Sequence, residues 1–154
     1  GDEATSSSAL RSAIAEADFG RAATLLGRPY TIDGTVTGGK RLGRTIGFPT
    51  ANIATALGPR QLLPPDGAYA ADITLDGEAS PRRAIVNIGL RPTVDNSTEP
   101  ARTIEAHILD FDADIYGTHV SLTFLRRLRP ERRFPSLDAL RAQLALDAQA
   151  ARTL

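Results

Sequence analysis

A glycine-rich stretch with nearby basic residues is the part of this sequence best suited to hold a phosphate group. Residues 38–47 contain four glycines, and Lys40, Arg41 and Arg44 add positive charge. Glycine lets backbone N–H groups approach a bound anion closely. The stretch nearly matches a P-loop, but Pro49 lies where a P-loop continues as a helix, so we exclude that motif. An anion-binding loop and a flexible surface loop both remain open.

Thr50 and Asn52 follow this stretch and could hold a metal ion beside the anion. They carry side-chain oxygens at positions i and i+2. In extended backbone, side chains two residues apart lie on the same face. Neutral protein oxygens together with phosphate oxygens and water suit Mg²⁺. The pair therefore predicts a site where Mg²⁺ binds together with a phosphate-containing ligand.

Glu105 is the residue whose surroundings suit proton transfer. Residues 102–109 alternate between apolar and polar side chains, which is typical of a half-buried strand. Glu105 lies on the polar face, opposite Ile104 and Ala106. A carboxylate in this position can be a general base aimed into a cleft, or an ordinary exposed strand residue, and the pattern does not separate the two. His107 shares the face and is expected to be a surface or hydrogen-bonded residue.

Two further charged clusters have more ordinary interpretations. Residues 110–117 carry acidic side chains at alternate positions, as calcium loops do, but Ile115 and Ser121 occupy the positions that need Gly and Glu. We expect a turn between two strands there. Residues 126–133 contain five arginines, which could contact nucleic-acid phosphates. Because aromatic residues that stack on bases are scarce, a solvated basic stretch or part of an anion site is favoured.

The elements that must position these residues are mainly short strands. Strands are predicted after Tyr30, over 68–75, 82–88 and 102–109, and around 120–124, with loops at 57–65 and 90–100. Ser136 is expected to cap a final helix. The apolar face of that helix is predicted to consist of Leu137, Leu140, Leu144 and Ala148. Because the strands do not alternate with helices, a small antiparallel barrel is favoured over a doubly wound sheet.

The first 26 residues differ from the rest because they are rich in alanine and contain no proline. Ser8 and Asp18 are expected to cap two short helices, and Gly27 is expected to end the second. We interpret residues 1–26 as a helical hairpin that leads into a main domain of residues 27–154.

Composition limits the classes of function. A length of 154 residues suits one domain with a modest core, and 18 basic residues balance 18 acidic ones. This balance gives no overall attraction to nucleic acid or anionic lipid. The absence of cysteine excludes disulfides and thiolate chemistry, and the two histidines have no zinc-site spacing. No apolar run approaches the roughly 20 residues of a membrane span. We expect a cytoplasmic protein without nucleic-acid or membrane partners.

Five segments, in the same order along the chain, resemble motifs of the riboflavin kinase family. They are residues 43–52, 65–69, 87–93, 103–111 with 116–117, and 128–134. The run Gly-Phe-Pro-Thr-Ala-Asn at 47–52 is the most specific of them. Residues 1–26 resemble the tail of the adenylyltransferase module that precedes the kinase module in bifunctional bacterial FAD synthetases.

The resemblance implies both a fold and an activity. The implied fold is mainly β, a six-stranded antiparallel Greek-key barrel with a C-terminal helix and a short N-terminal helical segment. The implied reaction moves the γ-phosphate of ATP to the 5′-hydroxyl of riboflavin, giving FMN and ADP with Mg²⁺. The histidine motif of the adenylyltransferase module is missing from the sequence. We therefore expect a fragment of a longer enzyme, without FAD-forming activity.

The resemblance also implies roles for individual residues. Glu105 would be the general base, and Thr50 and Asn52 would bind Mg²⁺ and the ATP phosphates. The other residues implied to contact nucleotide or flavin are Gly43, Arg44, Gly47, Pro49, Asn87, Arg91, Thr93, Arg129 and Phe134. The alternatives are small barrels that bind flavin or nucleic acid without catalysis.

Overall fold

The computed structural model describes residues 3–40, 47–91 and 101–154. Within these ranges the chain forms six strands, three α-helices and one turn of 3-10 helix at Gly58–Arg60. The helices are α1 (Glu3–Ala15), α2 (Phe19–Leu26) and α3 (Leu137–Arg152). The strands are β1 (Thr31–Lys40), β2 (Thr50–Thr55), β3 (Gly67–Leu75), β4 (Arg82–Arg91), β5 (Ala101–Ile108) and β6 (His119–Pro130). Over the same ranges, no helix is long and apolar enough to cross a membrane.

The strands close into an antiparallel barrel. Their order is β1–β2–β5–β4–β3–β6, and β6 pairs with β1 to complete the circle. β3, β4 and β5 are neighbours in the barrel in the same order as in the chain. β2 instead pairs with β5, and β6 lies between β3 and β1. The predicted barrel of six antiparallel strands, followed by a C-terminal helix, is confirmed.

The inward face of each strand supplies the core of the barrel, and α2 adds one aromatic ring to it. Phe19 stacks on Phe124 with ring centroids 5.6 Å apart and meets Tyr69 edge-on at 5.8 Å. Ile14 of α1 is also fully buried in this core. The N-terminal hairpin and the barrel therefore share one core, since two helices of this length are too short to bury a core of their own.

The helix boundaries match the predictions for α2 but not for α1. Ser8 lies inside α1 and is not its cap, because no glycine or proline interrupts residues 3–15 and the helix starts further upstream. Asp18 does cap α2, since its Oδ1 accepts a hydrogen bond from the backbone N–H of Arg21 at 3.0 Å. Gly27 ends α2 at a φ of 76°, a left-handed conformation that glycine adopts readily.

Two strands extend further than predicted. β4 continues through Leu90 to Arg91, beyond the predicted loop boundary, and pairs with β5 from Ala84 to Arg91. β6 continues to Pro130, so most of the arginine-rich stretch is strand, while Arg126, Arg132 and Arg133 are exposed to solvent as predicted. Arginine can lay its aliphatic stem along apolar surface while its guanidinium group finds a partner. Arg127 does so by donating to the carbonyl of Asp66.

α3 packs against the outer surface of the barrel through a face that overlaps the predicted one, since Leu140 and Leu144 are half-buried. Ser136 caps the helix as expected, accepting from the backbone N–H of Ala139 at 3.1 Å. Ala148 is buried as predicted, but Leu137 is exposed. The other buried positions of α3 are Asp147 and Ala151. Small side chains let the helix lie close to the outer face of the strands, where it covers Ala68, Ala70 and Ile85.

A buried ion pair fastens α3 to β6. The side chain of Asp147 is 3% exposed and that of its partner Arg129 is 11% exposed. Arg129 donates from Nε at 3.0 Å and from Nη2 at 2.9 Å to Oδ2 of Asp147. Gln143 donates to Oδ1 of the same carboxylate at 2.9 Å. The ion pair explains how the Asp147 carboxylate can be buried on the face of α3 that packs against the barrel.

We expect Arg129→Ala to lower the free energy of unfolding by about 3 to 5 kcal/mol, because it leaves the Asp147 carboxylate buried without its cation. Urea denaturation followed by circular dichroism measures the change. The matched control is Arg152→Ala, since Arg152 pairs with Asp110 at 3.1 Å on the surface. Loss of such an exposed pair costs less than about 1 kcal/mol. Equal losses in the two variants would contradict the anchoring role of Arg129.

Candidate active site

Three polar residues from distant parts of the sequence form one row across β2, β5 and β4. Glu105 lies directly opposite Asn52 on one side and Asn87 on the other. All three are on the outer face of the barrel, because their chain neighbours Ile53 and Ile104 point into the core. Directly opposed residues in antiparallel strands have Cβ atoms about 4.5–5.5 Å apart. The carboxylate of Glu105 therefore lies between two side-chain amides.

Burial separates the two interpretations that the sequence left open for Glu105. The residue is only 5% exposed, so it is not an ordinary exposed strand residue. A carboxylate removed from water to this extent needs polar surroundings, and the flanking Asn52 and Asn87 contribute to them. The position suits a general base, which must be shielded from bulk water yet next to the site of reaction.

Thr50 and Asn52 present two buried oxygen atoms that lack a hydrogen-bond partner in the described part of the chain. Neither Thr50 Oγ1 nor Asn52 Oδ1 has a hydrogen-bond partner within residues 3–40, 47–91 and 101–154. A buried oxygen left without a hydrogen bond costs about 1–3 kcal/mol, so two such atoms on one strand make it a candidate ligand site. Both residues lie in β2, where extended backbone places them on the same face as predicted. These neutral oxygens fit a hard divalent cation that also takes phosphate and water oxygens.

His107 contacts the residue that immediately precedes Thr50. Its Nδ1 lies 2.7 Å from the carbonyl oxygen of Pro49, and its ring packs against Phe48 with centroids 5.1 Å apart. A carbonyl only accepts hydrogen bonds, so Nδ1 carries the proton. Burial lowers the pKa of His107, and this effect outweighs the hydrogen bond to Pro49, which raises the pKa. The ring is therefore neutral at pH 7.

Two clefts meet at Pro49. One of about 720 Å³ is lined by Thr50, by inward-facing residues of β1, β2 and β5, and by the connection over residues 111–116. The other, of about 580 Å³, lies between Phe48, His107 and α3. Both are within the size range of small-molecule sites, roughly 300–1,000 Å³. Predicted site residues line both: Pro49 faces the two clefts, and Gly47 faces the second.

A second carboxylate, from Glu131, reaches the Asn87 end of the row. Glu131 Oε2 accepts a hydrogen bond from Asn87 Nδ2 at 3.2 Å. A Cβ atom at position 89 would collide with the Glu131 carboxylate, so Gly89 makes room for this contact. Glu131 and His107 lie within the motifs at 128–134 and 103–111, but neither was predicted individually as a site residue. Their contacts span 44 and 58 residues along the chain, and only the sheet register brings the partners together.

The remaining predicted site residues are distributed as follows. The guanidinium of Arg129 binds Asp147 and lies 5.4 Å from the ring centroid of Phe134. Arg129 of β6 pairs with Ala68 of β3, and Ala68 pairs with Asn87 of β4. Arg129 therefore lies two strands away from Asn87, which is the end of the row. Contact of Arg129 and Phe134 with a flavin stays a prediction. Arg91 is the last residue of β4. The predicted residues Gly43, Arg44 and Thr93 lie outside the described part of the chain.

Comparison with known proteins places this fold and these motifs in one family. Residues 26–154 match the family model described as Flavokinase: Riboflavin kinase. The chain is 44% identical over 147 residues to the bifunctional riboflavin kinase/FMN adenylyltransferase of Escherichia coli (strain K12), covering 96% of this chain and 45% of that protein. It is 37% identical over 150 residues to the protein of the same description from Bacillus subtilis (strain 168), covering 97% and 46%. The chain thus spans about half the length of these curated relatives.

Two solved structures share the fold, and one of them is described as a riboflavin kinase. The riboflavin kinase from Trypanosoma brucei superposes with a TM-score of 0.53 and 27% sequence identity, over 81% of this chain and 78% of that one. A crystal structure described as a macrolide-efflux protein from Streptococcus pneumoniae superposes with a TM-score of 0.82 and 35% identity, over 94% of this chain and 45% of that one. With a family model matched from residue 26 to the last residue and the barrel shared with a solved riboflavin kinase, the chain belongs to the riboflavin kinase family.

Proposed function

We propose that this chain is a riboflavin kinase, which transfers the γ-phosphate of ATP to the 5′-hydroxyl of riboflavin and forms FMN and ADP. The observation that carries the proposal is the buried carboxylate of Glu105 in register with Asn52, one of two residues whose buried oxygens lack a partner in the described structure. Phosphoryl transfer to an alcohol uses a proton acceptor beside the hydroxyl and a group that neutralises the phosphate charge. The family match supports the assignment of the reaction.

In the proposed reaction, Glu105 acts on the substrate hydroxyl. The 5′-oxygen forms a bond to the γ-phosphorus while its proton passes to the Glu105 carboxylate. The bond from the γ-phosphorus to the bridging oxygen breaks, and its electron pair leaves with ADP. Thr50 Oγ1 and Asn52 Oδ1 would hold Mg²⁺, which when bound supplies positive charge to the phosphate oxygens. Asn52 and Asn87 flank Glu105 and keep its carboxylate directed along the row.

The clefts and the row suggest how the two substrates are arranged. The larger cleft reaches Thr50, so we place the nucleotide there with its phosphates toward Thr50 and Asn52. Riboflavin then approaches Glu105 from the side of Asn87. Arg129 and Phe134, predicted to border the flavin, lie beyond Asn87 on that side. In this arrangement the two substrates reach the row from opposite ends, so that the hydroxyl and the γ-phosphate meet beside Glu105, as transfer requires.

The length of the curated relatives suggests a partner module. Their names combine kinase and adenylyltransferase activities, and this chain matches about half of each. We assign the kinase step to this chain and the conversion of FMN to FAD to an adenylyltransferase module in a full-length protein. Residues 1–26 then form the junction, and Phe19 packs this junction into the core of the kinase barrel.

We expect Glu105→Gln to reduce the turnover number roughly 10²- to 10⁴-fold, the usual contribution of a general base. Glutamine keeps the size and polarity of glutamate but does not accept a proton, so nucleotide binding should persist. Chromatography of riboflavin incubated with Mg²⁺, ATP and protein measures FMN formation. The matched control is Glu78→Gln, at the β3–β4 turn where Glu78 pairs with Arg82. Wild-type turnover in Glu105→Gln would remove Glu105 from the mechanism.

We expect Thr50→Ala to weaken Mg²⁺-dependent nucleotide binding by roughly 10-fold or more, because loss of even an outer partner of a metal site has an effect of this size. Calorimetry with a non-hydrolysable ATP analogue, with and without Mg²⁺, isolates the contribution of the cation. Thr55→Ala is the control on the same strand, since Thr55 bonds the carbonyl of Gly58. If Mg²⁺ strengthened binding equally in wild type and Thr50→Ala, Thr50 would not be a ligand.

A further inference from the structure

The backbone next to Thr50 is held by main-chain pairing on one side and by a side chain on the other. On the β1 side, Thr50 is paired with Lys40. On the β5 side, the registered pairs in the described part of the chain end at Ala51 opposite Ala106. The hydrogen bond from His107 Nδ1 to the Pro49 carbonyl at 2.7 Å continues the link between the two strands past that point.

This bond acts directly on the position of Thr50. The carbonyl of Pro49 and the N–H and Cα of Thr50 belong to one planar peptide unit. Fixing the carbonyl oxygen therefore fixes the plane from which the Thr50 side chain extends. The ring of Pro49 adds to this rigidity, because it restricts the φ angle of Pro49 itself.

The His107 ring is itself held in place. It packs against Phe48, with centroids 5.1 Å apart, and lines a cleft whose other wall includes Ala148 of α3. Burial lowers the pKa of His107, so one neutral tautomer, with the proton on Nδ1, satisfies the contact at pH 7. The Nδ1–H group of His107 therefore points in one defined direction. A group that holds the Pro49 carbonyl in place must be fixed in this way.

We propose that His107 is a positioning residue for the phosphate and cation site, acting through the Pro49 carbonyl on the Thr50 hydroxyl. The inference rests on the proposed function, since it takes a magnesium–nucleotide complex as the ligand of Thr50 and Asn52. His107 does not touch the reacting atoms in this account, so its loss acts on nucleotide binding before it acts on turnover. A purely structural role predicts a change in melting temperature without a selective change in Mg²⁺-dependent binding.

The test compares His107→Asn, His107→Gln and His107→Leu. The amide nitrogen of asparagine reaches about the position of Nδ1 and can donate to the Pro49 carbonyl. In glutamine the amide lies one bond further out, and leucine has no donor. Calorimetry with Mg²⁺ and a non-hydrolysable ATP analogue gives the affinity, the same titration without Mg²⁺ gives the contribution of the cation, and melting curves report folding.

We expect His107→Leu and His107→Gln to bind the magnesium–nucleotide complex about 10-fold more weakly, as for other residues that orient metal ligands. His107→Asn should keep most of the wild-type affinity, and riboflavin affinity should change less than twofold in all three. If the leucine variant does not fold, the asparagine and glutamine variants decide. Equal affinity in asparagine and glutamine variants, or wild-type affinity in the leucine variant, would overturn the role of His107. If the wild-type protein showed no Mg²⁺-dependent nucleotide binding, both the role of His107 and the proposed function would be overturned.

Discussion

Glu105 lies between Asn52 and Asn87 only because β5 pairs in one register with both β2 and β4. A slip of one residue would turn Glu105 into the apolar interior and bring Ile104 to the outer face. Placing a carboxylate among the inward-facing residues without a partner would cost several kcal/mol. Since β5 is held on both sides in a closed barrel, the register that fills the core is also the register that assembles the site. Packing and chemistry are set by the same pairing.

The outer face of the barrel is a second packing surface, on which α3 lies against β3 and β4. α3 covers the small residues Ala68 and Ala70. Its C-terminal end is held by Arg83, which donates to the carbonyls of Ala151 and Leu154, where a positive charge is favourable. The Arg129–Asp147 pair holds the helix to β6. The row formed by Asn52, Glu105 and Asn87 lies on the same face, on rigid strands whose side chains have few alternative positions.

Local patterns predicted the parts of the structure that depend on neighbouring residues. Alternation identified β5 and the opposite faces of Glu105 and Ile104, and short-range hydrogen bonding explains why Asp18 and Ser136 were recognised as caps. The motif resemblance identified the family, and Thr50 and Asn52 do lie on one face of a strand as the i, i+2 spacing predicts. The predicted roles of the site residues are untested by these observations.

Features that depend on distant partners were not predictable in the same way. Apolar periodicity selected Leu137 for the buried face of α3, and it gave no sign that Asp147 would be buried, because that depends on Arg129 in another element. The contacts of His107 with Pro49 and of Glu131 with Asn87 also require the strand order. Ser8 was misplaced as a cap because capping residues are also tolerated within helices when their neighbours favour helix.

The most direct test of the central claim is a crystal structure of the protein with riboflavin, Mg²⁺ and a non-hydrolysable ATP analogue. The account predicts a Glu105 carboxylate oxygen about 2.6–3.2 Å from the 5′-oxygen of riboflavin. It also predicts the cation about 2.0–2.1 Å from Thr50 Oγ1 and Asn52 Oδ1. A 5′-oxygen in contact with a different side chain, or a cation bound away from Thr50 and Asn52, would contradict it.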